Sequence, residues 1–206
     1  MYKPEHKKRG EEMPKDREQD SNWDRIERFR RSDFFSHALY QRYLQSWAAD
    51  HLAELLTKPD DDFVNALREF LVDNTMLTEK TVAPIFARNT VEEVREAFST
   101  LLNDDSTVYD ALDAVWQLDG AGPYFSTYML ALATAGDYIL YEETLLQGMK
   151  EFVPTIAENL RPVKDLDTYF EFMSACRVIV EAYRFTSLAE LHDFLWHGKD
   201  TGWSFE

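Results

Sequence analysis

The stretch VWQLDGAGPYFSTYML, residues 115–130, joins two apolar segments through two glycines and a proline. Apolar residues spaced by three and four flank the turn on both sides, which is typical of amphipathic helices. Gly120 and Gly122 let the backbone turn tightly, and Pro123 suits a first helical turn because that turn tolerates a missing N–H. The stretch therefore predicts a helix ending near Leu118, a tight turn, and a second helix beginning at Pro123.

The same apolar spacing extends in both directions along the chain, whereas the alternation typical of strands is scarce. We therefore predict an all-α fold, a compact array of about eight or nine helices that forms a single domain over residues 21–206. One long helix is expected from Phe34 to Thr57. Residues 1–20 are charged and contain almost nothing to bury, so we expect them to form a flexible arm.

Capping chemistry marks several of the predicted helix starts. Thr90 and Glu93 have the spacing of a capping box, in which a hydroxyl and a carboxylate satisfy each other's backbone amides. Asp62 can cap the helix that follows an acidic run, and either Asp165 or Asp167 opens a later helix. These starts fix the predicted order of the helices.

The composition excludes several classes of protein. With 45% apolar residues the chain can bury a substantial core, so global disorder is excluded. The longest apolar run is far shorter than the roughly 18–20 residues that span a bilayer, and no apolar signal sequence opens the chain. A single cysteine, Cys176, excludes an internal disulfide framework. We therefore expect a cytoplasmic protein that makes no membrane contact.

The charge is distributed unevenly along the chain. Residues 1–31 hold ten basic and eight acidic side chains, a net charge of +2. The whole chain carries −16, so residues 32–206 carry −18. A surface of that sign repels a polyanion at long range.

The L-x-G-x-G pattern at residues 118–122, between two predicted helices, resembles the helix-hairpin-helix element of DNA repair and replication proteins. An aromatic and apolar bend, which we call the elbow, follows within residues 136–145 and leads into another helix start. This order, hairpin, elbow and helix, is found in base-excision DNA glycosylases. The segment 106–152 is also similar to a helical part of McrB-like restriction proteins. The resemblance implies that the hairpin backbone and the start of its second helix hold a DNA phosphate. The nucleic-acid-binding residues are then Gly120, Gly122, Tyr124 and Lys150.

Glu142 is the only carboxylate that matches the aspartate after the elbow in monofunctional glycosylases, and Tyr124 stands where bifunctional relatives have a lysine. A carboxylate at that place would stabilise the positive charge that grows on a sugar as its base departs. The alternative is that Glu142 and Glu143 occupy a first helical turn and complement its dipole. We expect no catalytic residue, with Glu142 as the alternative, and neither a metal site nor a cofactor.

Charge also bears on the DNA hypothesis. Between Asp104 and Lys150 the chain has eight acidic residues and one basic residue, so phosphate contacts need basic side chains from elsewhere. The leading hypothesis is a non-catalytic helical binding or adaptor protein with a helix-hairpin-helix-like element, in nucleic-acid metabolism or defence.

Two alternatives stay open, a glycosylase-like DNA repair enzyme that uses Glu142 and a purely protein–protein interaction module. The expected partners are DNA, bound through the hairpin backbone, or a protein. A protein partner would be bound through the aromatic C-terminal tail, residues 191–206, or through the basic residues 25–31.

Overall fold

The computed structural model describes residues 15–36 and 46–205, and within these ranges the chain forms twelve helices and no strand. The helices are α1 Lys15–Arg31, α2 Asp33–Ser36, α3 Ser46–Leu56, α4 Asp60–Asp73, α5 Glu79–Arg88, α6 Val91–Leu101, α7 Val108–Trp116, α8 Pro123–Ala133, α9 Glu143–Phe152, α10 Pro154–Ala157, α11 Leu166–Ala182 and α12 Leu188–Thr201. The all-α prediction is confirmed. The number of helices is higher than predicted, partly because α2 and α10 have four residues each and are too short to show a helical period.

Two predictions reach beyond the described residues. The predicted arm, residues 1–20, lies mostly outside them, and α1 already begins at Lys15. The long helix predicted from Phe34 to Thr57 includes residues 37–45, which also lie outside them. Its described parts are α2 and α3, and α3 ends at Leu56, one residue before the predicted end.

The capping predictions are confirmed with one exception. The Thr90 hydroxyl accepts a hydrogen bond from the Glu93 amide, and the Glu93 carboxylate accepts one from the Thr90 amide at 2.6 Å. Asp165 caps α11 in the same reciprocal way. The cap predicted at Asp62 is wrong, because α4 begins directly after Pro59. Asp62 therefore lies inside the first turn, where its negative charge complements the helix dipole.

Buried apolar side chains form the core between these helices. Within it α6 packs against α7, α7 against α8, and α9 against α12. Cys176 is fully buried on α11, and burial raises the pKa of its thiol, so this thiol is unreactive. None of the described helices is both long enough and apolar enough to cross a membrane.

The aromatic C-terminal tail folds back onto this core. The Trp203 ring stacks on Phe152 at 5.9 Å between centroids, and its indole N–H donates to Glu151 at 3.0 Å. Phe205 is 5% exposed, and a Cβ atom at Gly198 would lie 2.4 Å from the Trp203 ring. The last rings of the tail are therefore used in packing, and binding of a partner through residues 191–206 stays a prediction.

The basic segment 25–31 is likewise engaged within the chain. Arg30 donates to the buried carboxylate of Glu190 at 2.6 Å, and Arg25 lies over the Trp203 ring at 5.5 Å. Arg28 donates to a backbone carbonyl one turn earlier, and Arg31 pairs with Glu27 at 3.4 Å. The contacts of Arg30 and Arg25 fasten α1 to α12 and to the segment after it, whereas those of Arg28 and Arg31 stay within α1. The segment therefore leaves a smaller basic surface than the sequence suggests.

Candidate functional site

The hairpin between α7 and α8 has the tight turn that its two glycines predict. Gly120 has a φ of +91°, a conformation that side chains rarely adopt. A Cβ atom at Gly120 would lie 3.4 Å from Pro84, so the turn rests directly on α5. Gly122 has an extended backbone, is the N-cap of α8, and has open space where a Cβ atom would stand. Pro123 occupies the first helical turn, as predicted.

Asn89, the residue after α5, holds this turn in place. Its side-chain amide donates to the carbonyl of Asp119 at 2.9 Å and to the carbonyl of Ile85 at 2.7 Å. Its side-chain oxygen accepts the Asp119 amide at 2.9 Å, and Arg88 pairs with the Asp119 carboxylate at 3.3 Å. The amide of Ala121 is bonded to Leu118 within the turn. Two of the hairpin amides are therefore already used to hold the fold together.

The start of α8 opens on a cavity of about 390 Å³ that is walled by acidic and aromatic residues. The amides of Tyr124 and Phe125 lack intrahelical acceptors, because each lies within the first turn. The residues that line this cavity are Pro123, Tyr124, Tyr141, Glu142, Glu143 and Thr144. We call it the Glu142 cavity. A phosphate approaching the start of α8 there would meet two carboxylates, which makes the cavity unfavourable for an anion.

Glu142 is the N-cap residue of α9, yet its carboxylate accepts no capping hydrogen bond from that helix. Burial raises the pKa of Glu142, although the neighbouring His192 and a hydrogen bond from Trp196 favour the charged carboxylate. Both of these residues belong to α12. The Glu142 carboxylate thus lies half-buried between α8, α9 and α12 and makes no capping hydrogen bond. Glu142 and Glu143 do occupy the N-cap and the first turn of α9, so the interpretation that their charges complement the helix dipole stays a prediction.

Tyr124 stands on the opposite wall of the Glu142 cavity. Burial, together with the negative charge of Glu142, raises the pKa of its phenol to about 12. Its ring stacks on Tyr128 at 6.2 Å between centroids, and Tyr128 in turn accepts the Met76 amide at 3.0 Å. Tyr124 therefore presents a neutral phenol and an anchored aromatic wall to the cavity.

A polar layer on α12 lies behind the carboxylate. His192 and Asp193 are both buried, with 3.3 Å between His192 Nδ1 and Asp193 Oδ1. Within the described part of the chain, Asp193 Oδ2 and His197 Nδ1 are buried without a hydrogen-bond partner. Burial lowers the pKa of His197, although Asp193 and Asp200 favour its charged form. The layer therefore places several titratable groups among the mainly apolar residues that α12 buries.

The structure brings together some of the predicted site residues and separates others. Tyr124 and Glu142 both line the Glu142 cavity. Gly122 precedes the lining residue Pro123 but does not line the cavity itself, and Gly120 lies against α5. Lys150 is exposed in the last turn of α9, eight residues beyond Glu142 and thus about 12 Å farther along the axis. It lines a separate shallow depression with Pro154, Thr155 and Glu158.

His192 and Trp196 are neighbours of Glu142 that the sequence did not predict. They are spaced by four on α12 and thus share a face, which is the signal that could have paired them. No sequence pattern near residue 142 indicates that this face of α12 packs beside it. Within residues 15–36 and 46–205, no group of three histidine, cysteine or acidic residues is arranged to hold a metal ion.

No protein-family model, curated protein sequence or solved structure matches the chain. The chemistry of the site therefore follows from its own residues. A half-buried carboxylate between aromatic walls suits a cationic group, since such a group pairs with the charge while its apolar stem packs on the rings. The same carboxylate, with its raised pKa, could also deliver or accept a proton.

Proposed function

We propose that the protein is a non-catalytic helical binding module that takes a lysine or arginine side chain of a protein partner into the Glu142 cavity. The observation that carries this proposal is the position of the Glu142 carboxylate, which leaves its own helix uncapped and lies half-buried opposite Tyr124. A charged carboxylate in such a place is poorly solvated, and an incoming cation relieves that penalty.

The charge of the chain supports a basic partner. Residues 32–206 carry −18, and a field of that sign steers cations toward the surface and speeds their association. The hairpin next to the cavity has a structural role in this proposal, since Asn89 holds its turn and α5 supports Gly120. A role in nucleic-acid metabolism or defence stays a prediction that rests on the hairpin resemblance.

The test compares two isosteric variants of adjacent glutamates. Binding of a fluorescently labelled deca-lysine peptide is measured by anisotropy at 150 mM salt, where scattered surface charges are largely screened. Glu142→Gln should weaken binding roughly tenfold, because it removes the partly buried anion that pairs with the cation. Glu143→Gln should weaken it by roughly threefold or less, since Glu143 is exposed.

Two outcomes would overturn the proposal. Equal effects of the two variants would mean that the peptide is held by diffuse charge alone. A mobility shift of a 20-base-pair DNA duplex at low salt, lost in a Gly122→Val variant that still folds, would instead assign the hairpin to DNA.

A glycosylase-like DNA repair enzyme is the second candidate, because the half-buried Glu142 lies beside the start of the second hairpin helix. It predicts base release from duplexes with alkylated or oxidised bases, and loss of that release in Glu142→Gln. Base release that is absent, or unchanged in the variant, would exclude this candidate.

A further inference from the structure

A second groove lies at the opposite end of α8 from the Glu142 cavity. It has a volume of about 350 Å³ and runs between α3, the α6–α7 connection and the last turn of α8. Tyr124 and Thr134, which line the two sites, are ten residues apart on or just after α8, or about 15 Å along its axis. We call it the α3–α8 groove.

The floor of the α3–α8 groove is apolar and buried. Leu101, Ala111 and Leu130 form it, each with at most 6% of its surface exposed. Ala53 and Ala133 stand at its sides, and their small side chains leave the groove open. An apolar side chain entering it would contact carbon atoms on several sides, which is the environment of an interface anchor.

The rim of the groove is acidic. Asp50 of α3 and Asp104 of the α6–α7 connection line it and are exposed, and Asp105 and Asp110 follow nearby in the chain. The chain has no lysine or arginine between Arg95 and Lys150.

One end of the groove has a different character. Tyr138 lines it there, and the guanidinium of Arg177 lies over that ring at 5.2 Å, engaged in a cation–π contact. Tyr109, which follows the groove residue Val108, is 48% exposed and stacks on Phe170 at 5.9 Å. Exposed, supported aromatic rings of this kind are frequent anchors at protein interfaces.

We propose that the α3–α8 groove binds a basic amphipathic helix of a partner protein, with apolar residues on the groove floor and lysines or arginines at the rim. Charge complementarity argues for this occupant, because an apolar floor with an acidic rim matches a helix with one apolar face and basic flanks. A nucleic acid would be repelled by the same rim. The inference goes beyond the proposed function, since the groove and the Glu142 cavity are separate.

The test uses two synthetic 14-residue peptides of identical leucine and lysine composition. One has leucines at helical spacing of three and four, and the other has them scattered around the helix. At 150 mM salt the amphipathic peptide should bind the full chain at least tenfold more tightly than the scattered one. Ala53→Phe, at an exposed position that lines the groove, should abolish this preference.

Charge variants test the rim against a matched control. The pair Asp50→Asn and Asp104→Asn should weaken binding of the amphipathic peptide roughly tenfold, whereas Asp60→Asn and Asp62→Asn should change it by roughly threefold or less. Circular dichroism and a thermal melt confirm that each variant folds. Glu142→Gln should leave the amphipathic preference intact, which separates this inference from the proposed function.

Three results would overturn the inference. The amphipathic and scattered peptides could bind equally, or Ala53→Phe could leave the preference unchanged. Alternatively, sedimentation could show a dimer of the wild-type chain that Ala53→Phe dissociates, which would assign the groove to a second copy of the chain.

Discussion

The hairpin turn and the Glu142 cavity are neighbours built from the same parts, a loop followed by a helix start, but they differ in how their polar groups are used. In the hairpin, Asn89 satisfies both the amide and the carbonyl of Asp119. At the cavity, the N-cap residue Glu142 leaves its helix uncapped and turns toward α12. The glycines that attract attention in the sequence therefore hold the fold, whereas the group available for chemistry lies one loop downstream.

The largest expected effect concerns the fastening of the hairpin. Asn89→Ala removes three hydrogen bonds and should lower the free energy of unfolding by about 2 kcal/mol, measured by urea denaturation. Asp119→Asn is the control, because it removes only an exposed ion pair and should cost about 0.5 kcal/mol or less. If Asn89→Ala leaves the free energy of unfolding unchanged, the Asn89 hydrogen bonds do not stabilise the turn, and the structural role that we assign to it is wrong.

A smaller effect separates the two hairpin glycines. Gly120→Ala should destabilise the protein by about 1–2 kcal/mol, because alanine is strained at a φ of +91°. Gly122→Ala should change stability by about 0.5 kcal/mol or less, since that backbone is extended and the space is open. The measurement is thermal unfolding of both variants, and equal losses would show that the positive φ of Gly120 imposes no cost on alanine.

The smallest effect concerns Glu142 and depends on pH. Its pKa is higher in the folded protein than in the unfolded chain. The protein therefore loses stability as the pH rises from the unfolded pKa through the folded pKa, because the unfolded chain releases the proton more readily. Glu142→Gln should therefore stabilise the protein at pH 7, by under about 1 kcal/mol, and the gain should vanish near pH 3, where the carboxyl group is protonated in both states.

Glu143→Gln provides the matched comparison for that experiment, because it removes the same charge from an exposed neighbour. Melting temperatures of both variants across pH 3–8 distinguish a local effect from relief of the overall negative charge. If the two curves coincide, Glu142 is not held in an unfavourable environment, and the contrast with the hairpin weakens.

Much of the fold could be predicted from local patterns. The capping box at Thr90, the cap at Asp165 and the helix start at Pro123 depend on residues only a few positions apart, and all three are confirmed. The predicted cap at Asp62 is wrong because the helix has another possible start three residues earlier, with Pro59 as its N-cap. Single helix boundaries of this kind are decided by local hydrogen bonds that composition does not specify.

Less of the candidate site could be predicted, for a physical reason. Glu142 was identified as a candidate, but its partners His192 and Trp196 come from α12, some fifty residues away in the chain. Their meeting depends on how α9 packs on α12, and Gly148 permits that approach, since a Cβ atom there would lie 3.1 Å from a carbonyl oxygen of Leu195. Asn89 was missed likewise, because its bonds to Asp119 span thirty residues.

The uninterrupted run without lysine or arginine also determines how these surfaces can be mapped. Trypsin cuts after those two residue types, so digestion leaves residues 96–150 as one 55-residue fragment. That fragment contains the hairpin, the residues of the Glu142 cavity and most of the α3–α8 groove. A partner peptide crosslinked to residues 96–150 would therefore appear on the same tryptic product whichever of the two sites had bound it. A protease that cuts after glutamate or aspartate is needed to tell the two sites apart.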